Sequence, residues 1–149
     1  TRRRFELKGE VGGVKVIDDY GHHPTEVVVT LKAARNLAGA GRVIVIFQPH
    51  RYSRTAAFTS QFSNSLALAD FTYLLEVYAA SEKPIPGVSS LLIARGMKTE
   101  QVKFEPSMLQ VVSDVVEMAK SGDLILTLGA GDVSSLGDPI LQALATRFA

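Results

Sequence analysis

Val43-Ile44-Val45-Ile46-Phe47 runs directly into Gln48-Pro49-His50-Arg51-Tyr52-Ser53-Arg54. The first five residues are all apolar and mostly β-branched, which suits a strand covered on both faces, as in a parallel sheet. The polar segment that follows then stands at the carboxyl end of a buried strand, where open α/β sheets gather their ligands. The same alternation extends to both sides. Residues 5–11 alternate loosely, Gly12-Gly13 signals a turn, and residues 14–17 complete a short hairpin. Pro24–Ala38 reads as a helix, with proline in its first turn, Glu26 at the positive end of its dipole and Gly39 just past its close. The pattern predicts a helix over 55–69, a strand over 71–77 and a short helix over 89–97. A strand at Val102–Phe104, a helix over 106–120, a strand at Leu124–Leu128 and a last helix over 138–148 follow. Val111, Val112, Val115, Val116 and Met118 form the apolar side of the 106–120 helix. No repeat and no long linker divides the chain. The expected fold is α/β: a three-layer Rossmann-like sandwich with a mostly parallel sheet of about six strands, helices on both faces and a short N-terminal β-hairpin, one domain over 1–149.

Composition narrows the function. The 149 residues are 46% hydrophobic and 21% charged with a net charge of +1, so a core is expected and global disorder is excluded. No apolar stretch nears the roughly 20 residues that cross a bilayer, and the basic start leads into no signal-peptide core. Neither a membrane nor a nucleic-acid partner is expected. The cluster Arg2-Arg3-Arg4 reads as a solvated arm, without the broad basic excess of a nucleic-acid binder. Cysteine is absent, which removes disulfides, thiolate metal sites and cysteine nucleophiles and fits a reducing cytoplasm.

Four polar segments follow the predicted strands: 18–24, 48–54, 76–82 and 129–132. All three histidines fall in the first two. Asp18 and Asp19 either cap the next turn or serve a site, and His22-His23-Pro24 could be a plain helix start. The histidines lack a His-x-x-x-His pair, so no metal is expected. Arg51 and Arg54 share one side of a first helical turn, where two cations repel each other and gain nothing from the dipole. A bound carboxylate or phosphate resolves that conflict, which favours an anion site over two solvated side chains. Gly129-Ala130-Gly131 is half a dinucleotide fingerprint, with Ser134 in place of the third glycine; a tight turn explains it equally well. There is no G-x-x-x-x-G-K-[ST] loop and no G-x-S-x-G elbow.

Residues 18–26 (Asp-Asp-Tyr-Gly-His-His-Pro-Thr-Glu) and 47–55 (Phe-Gln-Pro-His-Arg-Tyr-Ser-Arg-Thr), with 129–132, 75–80 and 84–87, resemble the C-terminal domain of the Mur ligases. The likeness runs from Arg3 to the chain's end. It implies the last of three domains, with residues 1–5 as interdomain hinge and the ATP phosphate loop on the missing central domain. It also implies an enzyme that is inactive as this domain alone. Within the family the motifs are most similar to the branch that joins L-alanine to UDP-N-acetylmuramate through an acyl phosphate, in bacterial peptidoglycan synthesis. A branch acting on recycled murein peptide shares Asp-Asp-x-x-His-His-Pro, and the Phe47–Arg51 motif argues against it. Ser53 stands where threonine is common in the family, with a hydroxyl retained. By resemblance, Arg4 and Asp19 contact ATP, and Tyr20 and His22 line the junction between ATP and the amino acid as the catalytic pair. Arg51 and Arg54 hold the L-alanine carboxylate, with His50 beside them and Tyr20 and His22 completing the pocket. Gly129, Gly131 and Asp132 border it. Mg2+ accompanies ATP, both held mainly by the missing domain, and no metal ligand is assigned in this chain. The competing expectation is a free-standing Rossmann-like module for a nucleotide or other anion.

Overall fold

In the computed structural model, which describes residues 4–149, β1 (Glu6–Val11) and β2 (Val14–Asp19) form the expected antiparallel hairpin. Gly12 and Gly13 turn it with φ of 60° and 79°; a Cβ on Gly13 would stand 2.2 Å from the Ser121 hydroxyl. After α1 (Pro24–Ala38) come β3 (Val43–Phe47), α2 (Tyr52–Ala57), α3 (Thr59–Leu66), β4 (Phe71–Leu74) and α4 (Leu91–Arg95). The chain ends with β5 (Val102–Phe104), α5 (Met108–Met118), β6 (Leu124–Leu128) and α6 (Gly137–Arg147). The strand order is β1-β2-β6-β3-β4-β5, with every neighbour after β1-β2 parallel.

Alternation within each strand divides the core. Val43, Val45 and Phe47 face a layer with Val27 and Leu31 of α1, Phe62 and Leu66 of α3, and Ile93 of α4. Ile44 and Ile46 face the opposite layer, with Val111 and Val115 of α5 and Ile140 and Leu144 of α6. β3 and β6 are buried at every position, as their unbroken apolar runs require. Because β6 sits between β2 and β3, its exit turns toward the α6 layer while theirs turn toward α1 and α3. That divergence opens a crevice at the carboxyl edge. Register levels the edge: Asp19 pairs with Leu128, Leu128 with Phe47, and Phe47 with Leu74.

Two expected elements differ. The helix over 55–69 is two helices that begin three residues earlier and break at Phe58, where φ is −121°. There the Thr59 hydroxyl bonds the Thr55 carbonyl at 2.6 Å, a local competitor of the helical ladder, and the Phe58 ring packs on His23. The strand over 71–77 stops at Leu74. Pro49 has no N–H to continue the ladder, and the Leu75 carbonyl accepts from the Ser90 hydroxyl at 2.5 Å. Pairing resumes one step on, as a single bridge between His50 and Tyr78.

Candidate active site

The β2 exit is built from local bonds. Asp19 is buried, and its carboxylate accepts from the Phe5 N–H at 2.7 Å, the Gly21 N–H at 2.9 Å and the Thr30 hydroxyl at 3.0 Å. Asp18, also buried, accepts from the Thr127 hydroxyl at 2.7 Å. His23 is the N-cap of α1: its Nδ1 accepts from the Thr25 N–H, and Glu26 returns the favour by accepting from the His22 and His23 N–H groups. Burial works to raise the Glu26 pKa, but those two N–H groups and the charges of His22 and Arg4 outweigh it and hold it below the usual carboxylate value. Beside this turn lies a cleft of about 330 Å³ lined by Arg4, Phe5, Asp19, Tyr20, Thr30 and Ala33, among others. The hinge expectation is touched only at Arg4 and Phe5; residues 1–3 lie outside the described residues.

The β3 exit is held from a distance. Arg51, a non-glycine residue at φ 74°, donates its N–H to the Tyr78 carbonyl at 2.8 Å and accepts from Thr55 through both its N–H and its hydroxyl. Arg54 folds back so that one guanidinium nitrogen donates to the His50 carbonyl at 3.1 Å and lies 3.3 Å from His50 Nδ1. Buried Gln48 donates to Asp132 at 2.6 Å and accepts from the Val133 N–H at 3.1 Å, tying β3 to the glycine loop. In that loop Gly129 has φ 148°, and a Cβ on Gly131 would meet the Gln48 amide at 2.5 Å and the Tyr78 ring at 2.6 Å. The two glycines therefore allow a close approach of loop to strand, the tight-turn side of the two readings.

The two exits meet through their rings. Tyr20 stands edge-on to His22 at 5.1 Å between centroids, His22 lies 5.5 Å from His50, and His50 stacks on Tyr78 at 5.6 Å. The structure thus brings Tyr20, His22, His50, Arg51 and Arg54 to one stretch of the edge, with Gly131 against Tyr78 and with Arg4 and Asp19 around the neighbouring cleft. Burial, then the charges of His22, Arg54 and Arg51, push the His50 pKa below its usual value, against a smaller opposing pull from Glu82. Two guanidinium groups gathered beside this imidazole suit recognition of an anion. Among the described residues no group of three or more His, Cys, Asp or Glu side chains could hold a metal ion.

Sequence reasoning missed Tyr78, Gln48, Thr30 and above all Glu82. Glu82 accepts from the Ser53 N–H at 3.1 Å and from the Ser53 hydroxyl, at the open end of α2. The hydrogen bond from the Ser53 hydroxyl, with help from the Ser53 and Tyr52 N–H groups and the Arg51 charge, holds its pKa below the usual carboxylate value. One signal was available: Glu82 belongs to one of the four polar segments that follow strands.

These features define an α/β domain whose carboxyl edge carries a cluster of histidine and arginine side chains between two strand exits, beside a cleft. The chain belongs to the Mur ligase family: the model of its glutamate ligase domain matches residues 3–131. The UDP-N-acetylmuramate–L-alanine ligase of Kineococcus radiotolerans is 50% identical over 149 residues, which cover 99% of this chain and 32% of that protein. The chain thus spans about a third of the length of that relative. Among solved structures, a murein peptide ligase from Psychrobacter arcticus aligns with a TM-score of 0.80 at 25% identity, over 97% of this chain and 30% of its own. The UDP-N-acetylmuramate–alanine ligase of Thermotoga maritima aligns with a TM-score of 0.79 at 24% identity, over the same shares. The two folds fit equally well, so fold likeness does not separate the alanine branch from the murein-peptide branch.

Proposed function

We propose that this chain is the C-terminal domain of an ATP-dependent ligase that joins L-alanine to the carboxyl group of UDP-N-acetylmuramate. The 50% identity with a protein named for that reaction supports the alanine branch, as does the Phe-Gln-Pro-His-Arg-Tyr-Ser-Arg segment. One observation carries the site assignment. Arg54 lies against His50, Arg51 is near enough for its charge to help depress the His50 pKa, and among the described residues neither guanidinium forms an ion pair with a carboxylate. Two guanidinium groups so placed bind the carboxylate of L-alanine. Tyr20 and His22 then border its amino group on the side of the cleft. Fixing the carboxylate fixes the amine, and positioning of this kind lowers a barrier by several kcal/mol, roughly 7 or more in favourable cases.

The nucleoside end of ATP is assigned to the cleft beside β2. A volume of about 330 Å³ lies within the usual range for small-ligand pockets. Asp19 uses three of its roughly four acceptor positions on protein donors, which leaves Oδ1 able to take one ribose hydroxyl. Arg4 adds a cation at the rim. When bound, ATP with Mg2+ supplies the activating phosphoryl group. The residues named here bind and orient, and the phosphate loop belongs to the longer chain. Such an enzyme works in the bacterial cytoplasm, and this domain alone is inactive. Phosphate release by the longer chain with ATP, Mg2+ and UDP-N-acetylmuramate is the test. Release that depends on L-alanine supports the reading. Release with a murein tripeptide instead moves the chain to the other branch, and amino-acid-independent binding by these 149 residues favours the free-standing module.

A further inference from the structure

Segment 78–82 holds segment 49–53 at both ends. The Tyr78 N–H donates to the Pro49 carbonyl at 2.8 Å, and the Arg51 N–H donates to the Tyr78 carbonyl at 2.8 Å. The Tyr78 ring stacks on His50 with only 14° between planes. Glu82 closes the far end on the N–H and hydroxyl of Ser53. Nothing nearer in sequence does this work, because the N-cap of α2 is Arg51, whose side chain makes no cap bond. The segment is bent to reach: Ala80 and Ser81 stand at φ 50° and 73°, and the Glu82 N–H closes the turn on the Ala79 carbonyl at 2.9 Å. Two consecutive left-handed non-glycine residues cost free energy that the surrounding contacts must offset.

From this geometry, and resting on the carboxylate clamp proposed above, we infer that Glu82 is a positioning residue for amino-acid binding, holding the first turn of α2 so that Arg51 presents its guanidinium to the substrate carboxylate. Glu82 does not touch the amino acid. It acts through Ser53 and Arg51, and its own carboxylate is spent on the backbone of α2. This keeps the α2 end satisfied while, among the described residues, neither guanidinium is held by a carboxylate and Arg54 is engaged only by His50. The arrangement also leaves the net charge of Arg51, Arg54 and Glu82 at one positive unit, matched to one carboxylate.

The test is steady-state kinetics of the full-length ligase with Glu82→Ala, Glu82→Gln, Arg51→Ala and the double variant Glu82→Ala/Arg51→Ala. Glu82→Ala is expected to raise the KM for L-alanine about tenfold, leaving kcat at saturating alanine and the KM for ATP within about threefold. Glu82→Gln keeps an oxygen for the Ser53 N–H and recovers most of the loss. In the Arg51→Ala background, Glu82→Ala adds nothing further, since a residue acting through another is non-additive with it. A raised alanine KM in Arg51→Ala with an unchanged one in Glu82→Ala overturns this inference alone. Additive effects overturn it too, by making Glu82 a general stabiliser. An unchanged alanine KM in Arg51→Ala removes the clamp itself. Should Glu82→Ala fail to fold, Ser53→Ala, which removes the hydroxyl that donates to Glu82, carries the cycle with Arg51→Ala, and additivity there has the same meaning.

Discussion

The two edges of the sheet use arginine in opposite ways. At the amino edge Arg42 meets a buried carboxylate: Asp123 takes its Nε at 3.1 Å and a terminal nitrogen at 2.7 Å, and accepts the Lys120 and Arg42 N–H groups as well. At the carboxyl edge Arg51 and Arg54 have no such carboxylate, and the nearby acid, Glu82, is engaged by backbone and hydroxyl donors. A guanidinium with its carboxylate in place welds a fold, and one without it is available to a ligand. The two exits of the carboxyl edge differ as well: the turn after β2 is capped by Glu26, three and four residues on, and the start of α2 by Glu82, 29 positions away.

The largest effect is expected where the amino-edge contact is broken. Asp123→Ala leaves the Arg42 fork and two N–H groups without their acceptor. Loss of one partner of a buried pair costs about 3–5 kcal/mol, and with the Arg42 side chain 36% exposed to water the loss here should be about 2 kcal/mol, read by urea unfolding. The same pair sets the acid limit. Burial works to raise the Asp123 pKa, but bonds from Arg42 and Lys120 outweigh it and leave it below 3.8. With the folded value depressed, the stabilisation is complete above pH 3.8 and is lost as pH falls through the folded value; Asp123→Ala should flatten unfolding curves in that window.

A smaller effect, of opposite sign, is expected at the other edge. Ser81→Gly removes one of the two left-handed strains in segment 78–82 and should gain about 1 kcal/mol in the same measurement, with Arg51 and Glu82 undisturbed. The smallest is the titration of His50. Its depressed pKa means that the unfolded chain takes up the proton first, so stability is full above pH 6.5 and declines as pH falls through the lower folded value. His50→Gln should remove that slope. A bound carboxylate should oppose it, moving the histidine's NMR titration back up on adding ligand to the full-length protein.

Residues that act on near neighbours were legible in the sequence. The unbroken apolar runs of β3 and β6 gave a doubly covered parallel sheet, Pro24 and Glu26 marked the start of α1, and Gly12-Gly13 marked the hairpin. The break at Phe58 was hidden because it depends on a Thr59 hydroxyl competing for a carbonyl. The early stop of β4 depends on a missing N–H just past the end of β3, at Pro49. In the site, the motif residues were visible as polar segments after strands, but the brace was not. Glu82 lies 29 positions from Ser53 and pairs with it only after β3 and β4 are laid side by side. Asp19 shows the same limit from another side: helix cap, hinge tether and nucleotide contact all ask for an acid there.

The central claim is that the β3 exit holds the amino-acid carboxylate while the cleft beside β2 holds the nucleotide, and paired KM values in the full-length ligase test it most directly. Arg54→Ala should raise the KM for L-alanine about a hundredfold and leave that for ATP within about threefold, whereas Arg4→Ala should raise the KM for ATP and spare that for L-alanine. If both variants raise both constants together, or if Arg54→Ala leaves the alanine constant unchanged, the division into an amino-acid exit and a nucleotide cleft is wrong.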